Sequence, residues 1–214
     1  IQTKTDLAKY YDEISRLDFY VGEIIKELKQ QNRFNNTMII VMADNGRPFP
    51  HSKTRVNDRG MKTPFIIHYP ALIKENTGVC SALVSSIDIA PTLLKLSGSK
   101  PLKTVQGVSF DKLLKNRNLK FRNYIFAEHN WHNYEAHERM VRSRNFMYIL
   151  NSRPLLTLEG GLDIISTPSS MELLELKNNG TITKEQADEK KKKLAEEKEA
   201  AKKAKEQKTE TENK

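Results

Sequence analysis

Thr37-Met38-Ile39-Ile40-Val41-Met42-Ala43-Asp44-Asn45-Gly46 decides how the rest of this chain is read. Residues 38–42 are a short apolar run, partly β-branched, of the length of a buried strand, and the run stops at a turn-forming tripeptide. An amphipathic segment of helix length precedes it and a polar loop follows it. In an open α/β sheet, ligands collect beyond the carboxyl ends of the strands, where Asp44 and Asn45 fall. A carboxylate beside an amide oxygen suits a hard cation such as calcium, which takes several oxygen ligands. Asp and Asn are equally ordinary turn formers, and the dipeptide alone does not separate the two readings.

On the N-terminal side, Leu7, Tyr10, Ile14, Leu17, Val21, Ile24 and Leu28 recur at three- and four-residue spacing. They predict a helix capped at Thr5 or Asp6, running to Lys29 and packed by one face against a sheet. On the other side, residues 47–62 form a loop rich in Pro, Lys, Arg, Asn and Asp, long enough to suggest function. Residues 64–69 predict a second buried strand, with His68 as a core histidine, and residues 79–85 a third. Asp88 is placed to cap a helix through Leu96 that Gly98 closes. Beyond it come a brief helix at 110–114, a strand at 124–127, a hairpin of 140–144 with 146–150, and a helix at 169–176.

From Thr183 onward the chain is almost entirely Lys, Glu, Ala, Gln and Thr, with Leu194 as its one larger apolar residue. Such a segment is expected to be a solvated helix or disordered. Its charges nearly cancel, so the net charge of +9 belongs mainly to the folded part and suits an acidic partner. No nucleic-acid signature occurs, and the tail has no aromatic residue to stack on a base. No apolar run of membrane length occurs. Cys80 is the only cysteine, which rules out an intrachain disulfide in these 214 residues; it reads as a small buried hydrophobe.

Asp44-Asn45-Gly46 is followed in order by Pro48-Phe49-Pro50, Lys53, Gly60, Pro64-Phe65-Ile66-Ile67-His68-Tyr69-Pro70 and Asp88-Ile89-Ala90-Pro91-Thr92. The series resembles the C-terminal half of the catalytic domain of type I sulfatases, in the alkaline phosphatase superfamily. Glu128-His129-Asn130-Trp131-His132 resembles most the heparan N-sulfatase branch. The resemblance implies an α/β fold, the C-terminal part of an alkaline-phosphatase-like mixed-sheet sandwich over residues 1–115. A small antiparallel subdomain would follow over 116–182, then the charged tail over 183–214.

The same resemblance implies the site. Asp44 and Asn45 match the pair that completes a calcium site, and Lys53 matches a catalytic, sulfate-binding basic residue, with Arg55 and Arg59 as nearby competitors. Glu128, His129 and His132 would meet a sulfated saccharide. For these histidines the residues by themselves also allow zinc binding or plain packing with Trp131 and Tyr134. The family nucleophile is a formylglycine made in a Cys/Ser-x-Pro-x-Arg motif, which these residues do not contain, so it is expected upstream. The expected compartment is periplasmic, secreted or lysosomal. Two alternatives remain: a phosphohydrolase of the wider superfamily, or a glycan-binding remnant without catalysis.

Overall fold

The helix predicted from Thr5 or Asp6 begins earlier, as α1 (Gln2–Gln30), in a computed structural model that describes residues 2–74, 78–100, 103–153 and 161–180. Neither expected cap acts as one. The first N–H groups of α1, those of Gln2 and Thr3, are taken by the Glu172 carboxylate at 3.0 and 2.8 Å. Asp6 instead accepts the Ser169 N–H, at the start of α6 (Pro168–Asn178). Each helix therefore supplies an acid to the other's N-terminus, where unpaired N–H groups and the helix dipole favour negative charge. The apolar stripe of α1 is not packed on a sheet: no residue of the helix is buried, and Ile14, Leu17 and Ile24 are exposed.

The decisive apolar run becomes β1 (Ile39–Met42), paired antiparallel with β2 (Phe65–His68). Both strands are only half-buried. His68 is exposed, stacked on Phe34 with ring centroids 4.9 Å apart, and is not a core histidine. The short helix α2 (Asp58–Met61) lies in the loop between them, capped by Asn57 through the Gly60 N–H. No strand forms over residues 79–85, which join no ladder among the described residues; their contacts include side-chain ones, from Cys80 to the Arg117 carbonyl and from Arg144 to Ser81. Cys80, expected to be buried there, is exposed.

Helix α3 (Ile89–Leu96) ends before Gly98, which takes a positive φ of 71° as expected of a helix stop. Asp88 occupies the N-cap position of α3, but contrary to expectation its side chain makes no cap hydrogen bond to the helix and is engaged elsewhere. It is fully buried, and its carboxylate accepts the Ser85 and Val108 N–H groups at 2.8 Å and pairs with Arg122 at 2.5 Å. Thr92 extends the knot, donating to the Asp88 carbonyl and accepting from the Phe110 N–H just before α4 (Asp111–Lys115). A second sheet follows, β3 (Ile125–His132), β4 (Tyr134–Arg142) and β5 (Met147–Asn151), antiparallel throughout. Then α5 (Leu162–Ile165) leads into α6. Among the described residues Val56, Phe110, Leu113, Met140 and Ile164 are the buried hydrophobic side chains, a thin core whose Val56 comes from the loop itself. The charged tail expected over 183–214 lies outside the described residues.

Candidate active site

β1 ends at Met42 and delivers Asp44 and Asn45 into a turn that the backbone itself clamps. Gly46 donates to the Gly60 carbonyl at 2.8 Å, and a Cβ on Gly46 would lie 2.0 Å from the Arg59 carbonyl oxygen. Only glycine lets the turn lie this close to the far end of its loop. Asp44 is exposed, and its Oδ1 accepts both the backbone N–H of Asn45 at 2.9 Å and its side-chain amide at 2.6 Å. The amide hydrogen bond holds the Asp44 carboxyl below the usual carboxylate range, against slight desolvation, and the Lys53 charge adds to it. The donors are hard oxygens and fit calcium chemically, as part of a ligand set of about six to eight. Among the described residues no group of three His, Cys, Asp or Glu side chains converges as a metal site, at the histidines or elsewhere.

The loop at 47–62 is fixed by charge. Lys53 Nζ lies 2.5 Å from Asp163 Oδ2 of α5, Arg55 lies 3.5 Å from Glu138 of β4, and Asp58 lies 3.1 Å from Arg142 of β4. Tyr10 of α1 meets Phe49 edge-on at 5.6 Å. Within the loop His51 and Thr54 adopt left-handed backbone, with φ of 61° and 71°. For a β-branched residue such as Thr54 this is costly, and the conformation survives because its neighbours on both sides are pinned. Arg59, the remaining competitor, is exposed.

The hairpin of β3 and β4 turns on one residue, Asn133, with φ of 60°. Between the pairs His129 with Glu138 and Trp131 with Glu135, two residues of β4 face one of β3, a β-bulge. The register puts His129 opposite Glu138, with Nδ1 and Oε2 3.1 Å apart and both residues 8% exposed. A hydrogen on Nδ1 donates to the Glu138 carboxylate across this contact. His132 is half-buried, and its Nδ1 has no hydrogen-bond partner among the described residues. Glu128 points to the other face of β3, exposed and 3.4 Å from Arg139. Trp131 is exposed and packs into no core.

The charge of Lys53 reaches Asp44 on one side and Asp163 on the other, and Asp163 in turn feels His132, while His129 pairs with Glu138. Glu128 takes no part in these contacts. Sequence reasoning missed Asp163 and Glu138. Asp163 meets Lys53 across a separation of 110 residues, which no local pattern reports. Glu138 could have been found as the inward-facing acid of an alternating strand.

Two family profiles match the chain: Sulfatase over residues 2–99, and N-sulphoglucosamine sulphohydrolase, C-terminal, over residues 51–203. An ulvan-active sulfatase of Formosa agariphila is 35% identical over 185 residues, 86% of this chain and 30% of that protein. N-sulphoglucosamine sulphohydrolase of Homo sapiens is 35% identical over 91 residues, 42% of this chain and 18% of that protein. The chain therefore spans a third or less of the length of these relatives. A protein solved in complex with its substrate D-glucosamine-2-N,6-O-disulfate superposes with a TM-score of 0.51 at 21% identity, over 64% of this chain and 29% of that one. That likeness speaks to the fold, alkaline-phosphatase-like α/β. The order of motifs, the clamped Asp44-Asn45 turn and the profile covering most of the chain agree, and the chain belongs to the sulfatase family, matching its C-terminal part.

Proposed function

We propose that this chain is the C-terminal part of a sulfatase that hydrolyses a sulfated glycan, with an N- or O-sulfated aminosugar as the substrate class. The observation that carries the reading is the convergence of a strand-end Asp44-Asn45 pair with Lys53, a basic residue whose charge reaches Asp44. Asp44 and Asn45 would hold part of a calcium ion, which when bound draws negative charge from sulfonate oxygens. Lys53 holds the sulfonate and stabilises charge that grows on it in the transition state. In this reading half-buried His132 meets the sugar, and His129, buried against Glu138 on the same strand, supports that edge of the pocket. The nucleophile in this reading is a formylglycine contributed by residues outside these 214, and the compartment is periplasmic, secreted or lysosomal. The names and bound substrate of the relatives, N-sulphoglucosamine and D-glucosamine-2-N,6-O-disulfate, favour the aminosugar class.

The test uses the full-length enzyme. Asp44→Ala should abolish turnover of a sulfated aminosugar and lower calcium content while leaving the fold intact, because the side chain is exposed and supports no core. Lys53→Ala should lower kcat/KM by about two orders of magnitude, the scale of losing a transition-state charge donor. Wild-type turnover and calcium content in Asp44→Ala would defeat the reading. Hydrolysis of phosphate esters in preference to sulfate would move the protein to the phosphohydrolase branch.

A further inference from the structure

The Lys53 ammonium, central to the proposed chemistry, touches a residue that the reading above leaves without a role. Asp163 Oδ2 lies 2.5 Å from Lys53 Nζ, a charge-assisted contact. The hydrogen bond from Lys53 holds the Asp163 carboxyl below its ordinary range, against desolvation, and the charges of Lys53 and His132 add in the same sense. The other oxygen, Oδ1, and the His132 ring both border the space beside Gly161. A Cβ on Gly161 would stand 2.6 Å from Asp163 Oδ1, 2.9 Å from His132 Cε1 and 3.0 Å from His132 Nδ1. The Gly161 backbone is ordinary, with φ −68° and ψ 166°, so glycine is needed there for space and not for conformation. The segment is held from both sides. The Leu162 N–H donates to Asn133 Oδ1 at the hairpin tip at 3.3 Å, and Ile164 is buried at 1% exposure.

We infer that Asp163 is a positioning residue: one of its oxygens holds the Lys53 ammonium while the other borders the same Gly161 space as the His132 ring, so one carboxylate sets the place of the sulfate-side cation relative to the sugar-side histidine. The inference rests on the sulfatase reading of the site. Lysine is a compact charge on a long flexible stem, and a loose ammonium must be ordered again in each catalytic cycle. A fixed counter-ion on a separate, anchored element removes that reorganisation, which is what makes a charge donor effective in a transition state. Gly161 leaves the space that both the Asp163 carboxylate and the His132 ring border.

In the full-length enzyme, Asp163→Asn keeps the shape and removes the charge. On a sulfated aminosugar, kcat should fall about tenfold or more, the scale of one lost charge-assisted hydrogen bond, with KM changing less than about threefold. Asp163→Glu should recover most of that loss. In a Lys53→Ala background, Asp163→Asn should cost nothing further, because the group it positions is gone. A wild-type kcat in Asp163→Asn, even with a lowered melting temperature, overturns the inference. So does an equal loss in the Lys53→Ala background. If Asp163→Asn does not accumulate as folded protein, Gly161→Ala supplies the second route: its methyl must push aside the carboxylate or the imidazole, so kcat should drop, and an unchanged kcat overturns the inference. Full activity in Lys53→Ala would instead defeat the reading of the site. Loss of activity in Lys53→Ala with an unaffected Asp163→Asn defeats only the positioning role.

Discussion

Lys53 and Arg55 stand two residues apart on one loop, yet burial gives them different work. Arg55 is 13% exposed in its side chain and pairs with a Glu138 carboxylate that also takes His129, whereas Lys53 is more open and faces the cluster. Removing Arg55 leaves a nearly buried carboxylate short of a cation, a cost of about 1–3 kcal/mol. Arg55→Ala should therefore lower stability by about that amount in urea unfolding, while Lys53→Ala stays within about 0.5 kcal/mol of the parent. The reverse order would show that Arg55, not Lys53, is the residue spared for chemistry. The acid partners give the sign of the pH response. Asp163 has its carboxyl lowered by Lys53, so its contribution is complete above the unfolded value near 4 and is lost as pH falls through the lower folded value. The Lys53–Asp163 contact should thus persist at about pH 5, which a carboxyl NMR titration of Asp163 reads directly; protonation already complete at that pH would contradict it.

Elements were legible in the sequence where the signal is local. The strand ending at Asp44-Asn45-Gly46, the helix stopped by Gly98 and the second hairpin, β4 with β5, follow from apolar runs and turn residues within a few positions. What the sequence could not show was which neighbour each surface meets. The stripe on α1 was readable, but its cover was not, and residues 79–85 had strand composition but join no ladder among the described residues. The site divided in the same way. Asp44, Asn45 and Lys53 lie on one strand end and its loop, whereas Asp163 joins them only through the docking of α5. His129 and Glu128, adjacent in sequence, separate because a strand sends neighbours to opposite faces. The hairpin tip offers an element-scale test. Asn133 holds a left-handed φ of 60° and accepts the Leu162 N–H. Asn133→Ala should cost about 1–2 kcal/mol from the strained backbone, beyond what the lost hydrogen bond adds. Asn133→Gly should cost less, because glycine accepts that φ freely. Equal losses for the two variants would assign the whole effect to the hydrogen bond and none to the turn.

At the scale of the molecule the described residues leave much apolar surface in contact with water, and α1 concentrates it. Tyr11, Leu17, Phe19, Tyr20 and Ile24 are each more than half exposed along one helix, whose contacts among the described residues include α6, the short turn Phe34–Asn36 and, through Tyr10, Phe49 of the loop. Ordinary soluble surfaces carry scattered apolar residues; Leu17, Tyr20 and Ile24 share one face of the helix, with Tyr11 and Phe19 off it, and an apolar stripe of this kind marks a surface that is covered in the working protein. The net charge of +9 opposes self-association over long range, but salt screens it within about 8 Å, while apolar contact is not screened. The 214-residue chain expressed by itself should therefore associate at physiological salt, with a mass by light scattering that rises with protein concentration. Leu17→Glu with Ile24→Lys should shift it toward monomer without loss of helix content. The same isolated chain should not turn over a sulfated aminosugar, because Asp44 and Asn45 supply only a fraction of a calcium ion's oxygens and the chain carries no Cys/Ser-x-Pro-x-Arg nucleophile motif. The two expectations separate two causes. A variant that is monomeric, folded and still inactive shows that missing chemistry, not aggregation, limits the isolated chain. Turnover by that monomer would place a complete active site within these residues and overturn the division of labour proposed for them.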